Sequence, residues 1–341
     1  MIWIRRTIQK LSRCALCRAV LIMAACFPFT SVYADYDNDP QIISGTASIE
    51  HPDANTTNIT AADGTILEWN NFGIPSGQTM NFFLPDASST LLNRSTGDQA
   101  SHIDGNLWSN ANLILVNTNG IFFGATAAVE VGGLIASTLD IKNENFLAGQ
   151  YLFGATDQTI DQKFSSVVNQ GLITAANGWH VALIGSAVAN EGVIRAPLGH
   201  VALASGDVIT IGISPDNSIV VGIDVAVSHE VLDANGQPVK DQVSQTGQII
   251  APGGTVELNA KAAHDLFDRA VNQTGIVRAA DFVEKDGVIE ILGTGPVQVS
   301  GVLDAGEGTV TVSSEDSVVV AQDDPATEEK EELVTTGDTT I

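Results

Sequence analysis

His180 and His200 are the residues whose type and spacing come nearest to a chemical site. Each stands just after a glycine that opens a short apolar run, in Gly178-Trp179-His180-Val181-Ala182-Leu183 and Gly199-His200-Val201-Ala202-Leu203. If the two runs are strands of neighbouring layers, the imidazoles stack about 4.8 Å apart, the spacing of paired strands. Two imidazoles at that distance could share a metal ion, but a zinc site takes three or four ligands and nothing beside the pair supplies the third. A solvent-facing ladder is therefore the plainer expectation, with no resident cofactor. His51, His102, His229 and His264 are scattered. Neither Gly-x-Ser-x-Gly nor a phosphate loop nor His-Glu-x-x-His occurs, which leaves nucleophilic, phosphate-handling and zinc-protease chemistry without support. Acid–base cleavage of a polysaccharide needs carboxylates gathered on one face. Glu191, Arg195, Glu257 and Arg278 occur singly, at positions that do not align.

A tight turn between two buried strands is the clearer local feature. Ile114-Leu115-Val116 and Ile121-Phe122-Phe123-Gly124 are each the length of a buried strand, and Asn117-Thr118-Asn119-Gly120 separates them. Asn119-Gly120 is a pair that readily accepts positive φ, so a tight turn is expected here. Upstream stand Leu92-Asn93-Arg94, Thr96-Gly97, Ser101, Ile103, Gly105 and Leu107, and downstream Val131 to Leu139. On these residues the sequence resembles the haemagglutination-activity domain at the amino terminus of two-partner secretion (TPS) exoproteins, the filamentous haemagglutinin family, and the resemblance runs on to about Ser313. The family's turn is Asn-Pro-Asn-Gly; here Thr118 stands where proline would preset φ. A second family motif, Asn-Pro-Asn-Leu, is absent.

The resemblance implies a right-handed parallel β-helix and a partner, an outer-membrane β-barrel transporter whose periplasmic POTRA domains receive the unfolded chain. It also implies that residues 92–138 carry recognition, with Asn93, Arg94, Asn117, Asn119 and Gly120 matching the family and Thr118 completing the turn. The competing reading of the same residues is that asparagine and glycine serve only the turn's folding.

The elements that must position these residues are legible as repeats. Asn169-Gln170-Gly171-Leu172-Ile173-Thr174-Ala175 returns as Asn190-Glu191-Gly192-Val193-Ile194-Arg195-Ala196, and its outline recurs at Gly247, Gly275 and Gly301. Short strands joined at glycines with a period of roughly 20 residues are the signature of a β-solenoid. A single coil cannot bury its own Ile, Val and Leu, so neighbours stack on one core. An all-β fold follows, with residues 41–83 as an amino-terminal cap. Residues 208–213 and 218–223, around Ser214-Pro215-Asp216-Asn217, read as an antiparallel hairpin laid on the stack. A turn of helix is expected within residues 139–153. The spacing of Ala263, Leu266, Phe267 and Ala270 predicts another short helix over residues 262–270.

Composition narrows the partners. A formal net charge of −25 is repelled by nucleic acid and by an anionic membrane surface. Residues 1–34 read as an export signal: Arg5, Arg6, Lys10, Arg13 and Arg18 precede an apolar run from Ala19 to Phe29, and Val32-Tyr33-Ala34 is a small-residue cleavage site. The run is shorter than the roughly 20 residues that span a bilayer. Loose matches to a lipobox ending at Cys26 and to a twin-arginine signal are the alternatives. Cys14, Cys17 and Cys26 all lie within this segment, so the mature chain holds no cysteine and no disulfide delays its passage in an unfolded state. Asn55, Asn58, Asn93 and Asn272 open glycosylation triplets of a kind that arise by chance in an Asn- and Thr-rich chain.

The organisation expected is thus a signal at 1–34, a β-helix domain at 35–320 and an acidic disordered tail at 321–341, the tail being a frayed end, a linker or a cover for the last open coil. The leading function is a secreted, adhesin-like exoprotein or its secretion domain, exported through the periplasm to the surface of a Gram-negative-type bacterium. The second is a surface-attached binding module, an adhesin or lipoprotein with a host or surface carbohydrate or protein ligand. A polysaccharide-active enzyme is third.

Overall fold

The computed structural model describes residue 36 and residues 39–154, 166–215, 217–233, 236–280, 287–323, 330–335 and 339–340. The chain divides into two compact units, Met1–Tyr33 and Ala34–Ile341, and all described residues belong to the second. The expected export signal at 1–34, with its three cysteines, lies outside the described residues.

The second unit is a parallel β-helix. Among the described residues, each coil contributes one strand to each of three sheets of eleven, ten and nine strands. Pairing is in register between equivalent positions of successive coils: His180–Gly185 lies on His200–Ser205, which lies on Thr255–Ala260. Alternate side chains point inward to one continuous core running from Ile59 through Leu113, Leu134, Val181, Val201 and Val256 to Val312. Each fully buried Val, Leu or Ile contributes about 1.5–3 kcal/mol, realised only when the next coil covers it.

The glycine period has a steric cause. A Cβ on Gly192 would stand 2.2 Å from the carbonyl oxygen of Gly171; Gly247 stands in the same relation to Gly192, and Gly275 to Gly247. One column of glycines lets successive coils approach at a corner. Beside it runs an amide ladder that the sequence reading did not anticipate. Asn169 Nδ2 donates to Asn190 Oδ1 at 2.7 Å, and Asn190 Nδ2 donates to Gln245 Oε1 at 2.7 Å. Its signal was present in the chain as Asn169, Asn190, Gln245 and Gln273, two positions before Gly171, Gly192, Gly247 and Gly275.

Both ends of the stack are closed by antiparallel pairing. Gln41–Ser44 pairs with Ile66–Trp69, and Ala47–Asp53 with Thr56–Ala61, which covers the first coil as expected of the cap. At the other end, Lys330–Thr335 runs antiparallel to Val318–Asp323, and Thr339–Thr340 pairs with Thr309–Ser314. Residues 321–323, 330–335 and 339–340 are the described part of 321–341, where an acidic tail is expected; residues 324–329, 336–338 and 341 lie outside the described residues. An open coil offers a row of unpaired N–H and C=O groups, and a returning strand satisfies them.

A four-stranded antiparallel sheet lies outside the stack, built from Asp140–Ile141, Tyr151–Gly154, Val208–Ile213 and Ile219–Val225. The last two form the expected hairpin, and the helix Asn143–Leu147 supplies the expected helical turn. This sheet packs on the outer face of the eleven-stranded one, Ile209, Ile211, Ile219 and Val221 seating over Ala182, Ala202 and Ala204.

The helix expected over residues 262–270 does not form. Ala263 N donates to Val227 O at 2.8 Å, Asp265 turns the chain with φ +64°, and Arg269–Gln273 is a strand. Its apolar spacing reflects instead the packing of Ala262, Leu266 and Phe267 on Ala187, Val227 and Val231.

Candidate recognition site

Thr90–Ser95 and Asn112–Asn117 are adjacent parallel strands of the eleven-stranded sheet, with Asn93 opposite Leu115, Arg94 opposite Val116 and Ser95 opposite Asn117. Strand alternation sends Asn93 into the core and Arg94 to the outer face. Asn93 is 2% exposed and its Oδ1 accepts from the indole of Trp69 at 3.2 Å. Arg94, 8% exposed, reaches the excursion that covers the sheet. Its Nε donates to Asp140 Oδ1 at 2.8 Å, its Nη1 to Asn143 Oδ1 at 2.7 Å, and its Nη2 to the carbonyl of Ile141. The guanidinium fork thus clamps the first strand and helix of the outer layer onto the stack.

Asn117 ends its strand and opens the turn. Gly120 N donates to Asn117 O at 3.1 Å, which closes a four-residue loop, and Gly120 carries φ +116°. Among the described residues, non-glycine positive φ occurs at Leu198, Asn217 and Asp265, so Gly120 takes the special conformation and Asn119 does not. Asparagine first and glycine fourth are favoured places in such turns, and a short amide can bond the backbone two residues on. Asn119 N donates to Asn117 Oδ1 at 2.9 Å.

The other atoms of both asparagines bind the corner of the preceding coil. Asn117 Nδ2 donates to Gln99 O and to Ser101 Oγ, both at 2.9 Å, and Asn119 Nδ2 donates to Gly97 O at 2.8 Å. That corner is itself seated on the coil before, since Gly97 N reaches Asn70 O at 2.6 Å and a Cβ at Gly97 would meet that oxygen at 2.1 Å. Asn117 is 1% exposed, whereas Thr118 and Asn119 are half-buried. Five of the six residues singled out in the sequence are held by bonds: Asn93, Asn117 and Asn119 to the preceding coil, Arg94 to the outer layer, and Gly120 within the turn. Thr118 contributes its place in the loop.

His180 and His200 do pair in register on adjacent strands, but they are not a solvent-facing ladder. They lie at 1% and 9% exposure under the tip of the outer hairpin, where Asn217 O stands 3.2 Å from His180 Nδ1. Burial holds the His180 pKa down to about 4, partly offset by the Asn217 carbonyl and reinforced by His200. His200 Nε2 is 3.7 Å from Glu257 Oε2. Among the described residues, no group of three or more His, Cys, Asp or Glu side chains is placed to hold a metal ion.

Comparison with known proteins points in one direction. A family model described as the TPS secretion domain matches residues 43–304. The heme/hemopexin-binding protein of Haemophilus influenzae (strain ATCC 51907 / DSM 11121 / KW20 / Rd) is 30% identical over 257 residues, which is 74% of this chain and 26% of that protein. The chain thus spans about a quarter of the length of that relative. The crystal structure of the HMW1 secretion domain from Haemophilus influenzae superposes with a TM-score of 0.62 at 28% identity, covering 82% of this chain and 75% of that one.

Proposed function

The chain belongs to the TPS secretion domain family, and from that premise we propose that residues 92–138 present the unfolded chain to the periplasmic POTRA domains of an outer-membrane transporter and are then buried by folding outside the cell. The protein is a secreted two-partner exoprotein or the secretion domain of one. In this proposal the export signal delivers it to the periplasm by the Sec route.

The observation that carries the reading is the burial of the motif. Asn93, Arg94 and Asn117 are 2%, 8% and 1% exposed in the folded domain; Asn93 Oδ1 accepts from Trp69, the Arg94 guanidinium is committed to residues 140–143, and Asn117 Nδ2 to residues 99–101. A partner can read these side chains only before the coils close. Closing them would also make export hard to reverse, because re-entry would require those bonds and the core to be broken.

The test is binding of isolated POTRA domains to the chain held unfolded in urea and to the refolded chain, together with secretion of an Asn117→Ala/Asn119→Ala variant. Preferential binding of the unfolded chain, weakened by the double substitution, is expected. Equal binding of the refolded domain would refute recognition before folding.

A surface-retained binding module is the second reading, favoured by the likeness to a relative named for binding heme/hemopexin. Titration of the refolded chain with haem, read by its Soret band, tests that ligand class directly; an unchanged band dismisses it for this domain.

A further inference from the structure

Two of the three faces of the β-helix are covered by the chain's own excursions. The four-stranded sheet seats over the eleven-stranded one, and Val227 and Val231 close over Ala187 of the nine-stranded one. Among the described residues no element lies over the ten-stranded sheet, and its outward side chains stay half-buried or exposed. Those side chains change character along the stack. One column reads Thr56, Thr79 and Asn106 in the first three coils, paired in register. The same column continues as Ala128, Leu172 and Val193, then Gln248, Ile276 and Val302. Polar residues are what a strand normally turns toward water. Here aliphatic chains take their place over four strand spacings, about 19 Å from Leu172 to Val302, and Val302 is 50% exposed. A bare aliphatic stretch of this kind marks an interaction surface.

Two residues further along each strand runs a second column, Glu130, Thr174, Arg195, Ile250, Arg278 and Asp304. Arg195 and Arg278 are exposed, and neither is ion-paired among the described residues. They stand two strand spacings apart, about 9.5 Å. In a chain of net charge −25, two unpaired arginines beside an aliphatic column are complementary to carboxylates on an apolar partner.

The form of that partner follows from the backbone. The sheet spends its N–H and C=O groups on neighbouring strands, so an extended peptide laid on its face would leave its own backbone unpaired. A helix arrives with its backbone already bonded, and its turns recur every ~5.4 Å, close to the ~4.8 Å between strands. Apolar residues at i, i+3 or i+4, and i+7 therefore fall on successive members of the aliphatic column. Carboxylates at i and i+7, about 10.5 Å apart, fall opposite Arg195 and Arg278. We propose that this face docks an acidic amphipathic helix of a partner protein, its apolar stripe on Leu172, Val193, Ile276 and Val302 and its carboxylates on Arg195 and Arg278. These residues lie outside 92–138 and form one face only in the folded domain, so the site is independent of the transporter reading.

The experiment is a fluorescence-anisotropy titration of the refolded full chain against a labelled, capped helical peptide of about 18 residues, with leucines along one stripe and glutamates at i and i+7 beside it. The same peptide with lysines for those glutamates is the control. Saturable one-to-one binding of the glutamate peptide, at least tenfold tighter than the lysine peptide, is expected. Arg195→Glu/Arg278→Glu, at exposed positions that leave the fold intact, should reverse that preference. Val193→Thr/Ile276→Thr, which gives the column the character of the first coils, should weaken binding at least fivefold. Absence of saturable binding to the parent chain, or an unchanged preference after charge reversal, would overturn the proposal. So would sedimentation of the chain alone as a dimer that Val193→Thr/Ile276→Thr dissociates, because a second copy would then be the occupant.

Discussion

Replacing Asn117 by alanine should destabilise the β-helix by about 2–4 kcal/mol. The side chain is 1% exposed and makes three short bonds, two from Nδ2 to Gln99 O and Ser101 Oγ and one to Oδ1 from Asn119 N. An intramolecular hydrogen bond is worth about 0.5–1.5 kcal/mol net, and a partner left buried without one costs about 1–3 kcal/mol. Asn119 is half-buried and can turn to water, but Ser101 is 2% exposed and cannot easily do so. The sum therefore lies in the middle of the possible range. Urea unfolding followed by far-ultraviolet circular dichroism measures it, the shift in midpoint at unchanged slope giving the loss. Asn117→Asp gives an internal control. It keeps the acceptor for Asn119 N yet places a carboxylate against Gln99 O, so at neutral pH it should be at least as damaging as alanine, with partial recovery once acid neutralises the new group. A loss below about 0.5 kcal/mol for the alanine variant, within the usual spread of surface substitutions, would refute the argument that this turn is locked to the preceding corner.

Thr118→Pro should be neutral or stabilising by up to about 1 kcal/mol in the same assay, because Thr118 follows an extended strand residue and lies outside the positive-φ set. Arg94→Met should cost about 2–3 kcal/mol and raise hydrogen exchange over residues 139–154; lysine should restore less than half, since one ammonium cannot reproduce the fork to Asp140, Asn143 and Ile141. His180 has a folded pKa of about 4 against an ordinary value of 6.5. The unfolded chain therefore binds its proton first, and the stability His180 protects is complete above pH 6.5 and falls as the pH drops toward 4, by about 3 kcal/mol in all. Unfolding midpoints compared between the parent and His180→Gln should show a flatter acid limb in the variant; identical limbs would refute the assignment.

How much of this was legible in the chain depended on the distance over which each constraint acts. The turn at Asn117 and the glycine column could be read because their causes are local or repeat every coil. The hairpin around Ser214 could be read for the same reason, two apolar runs flanking a turn sequence. The burial of His180 could not, because its cover, Asn217, lies 37 residues away on an element outside the repeat. Arg94 was noticed as a motif residue, but its role as a clamp depends on partners 46 to 49 residues downstream. The false helix over 262–270 has a similar origin. Its apolar spacing mimics a helical face while its true partners, Ala187, Val227 and Val231, lie in other coils.

The direction of these bonds orders the folding of the motif. Asn117 and Asn119 bond to residues 97–101, and each column glycine packs on the carbonyl of the coil before it. These contacts can form as soon as the residue itself is available, provided the amino-terminal cap is already in place. Arg94 is different. Its partners lie at 140–143, and the sheet that covers its face is completed only by Val208–Ile213 and Ile219–Val225. In a chain folding from its cap, the turn would therefore close early while the guanidinium stayed solvated until nearly 50 more residues had emerged.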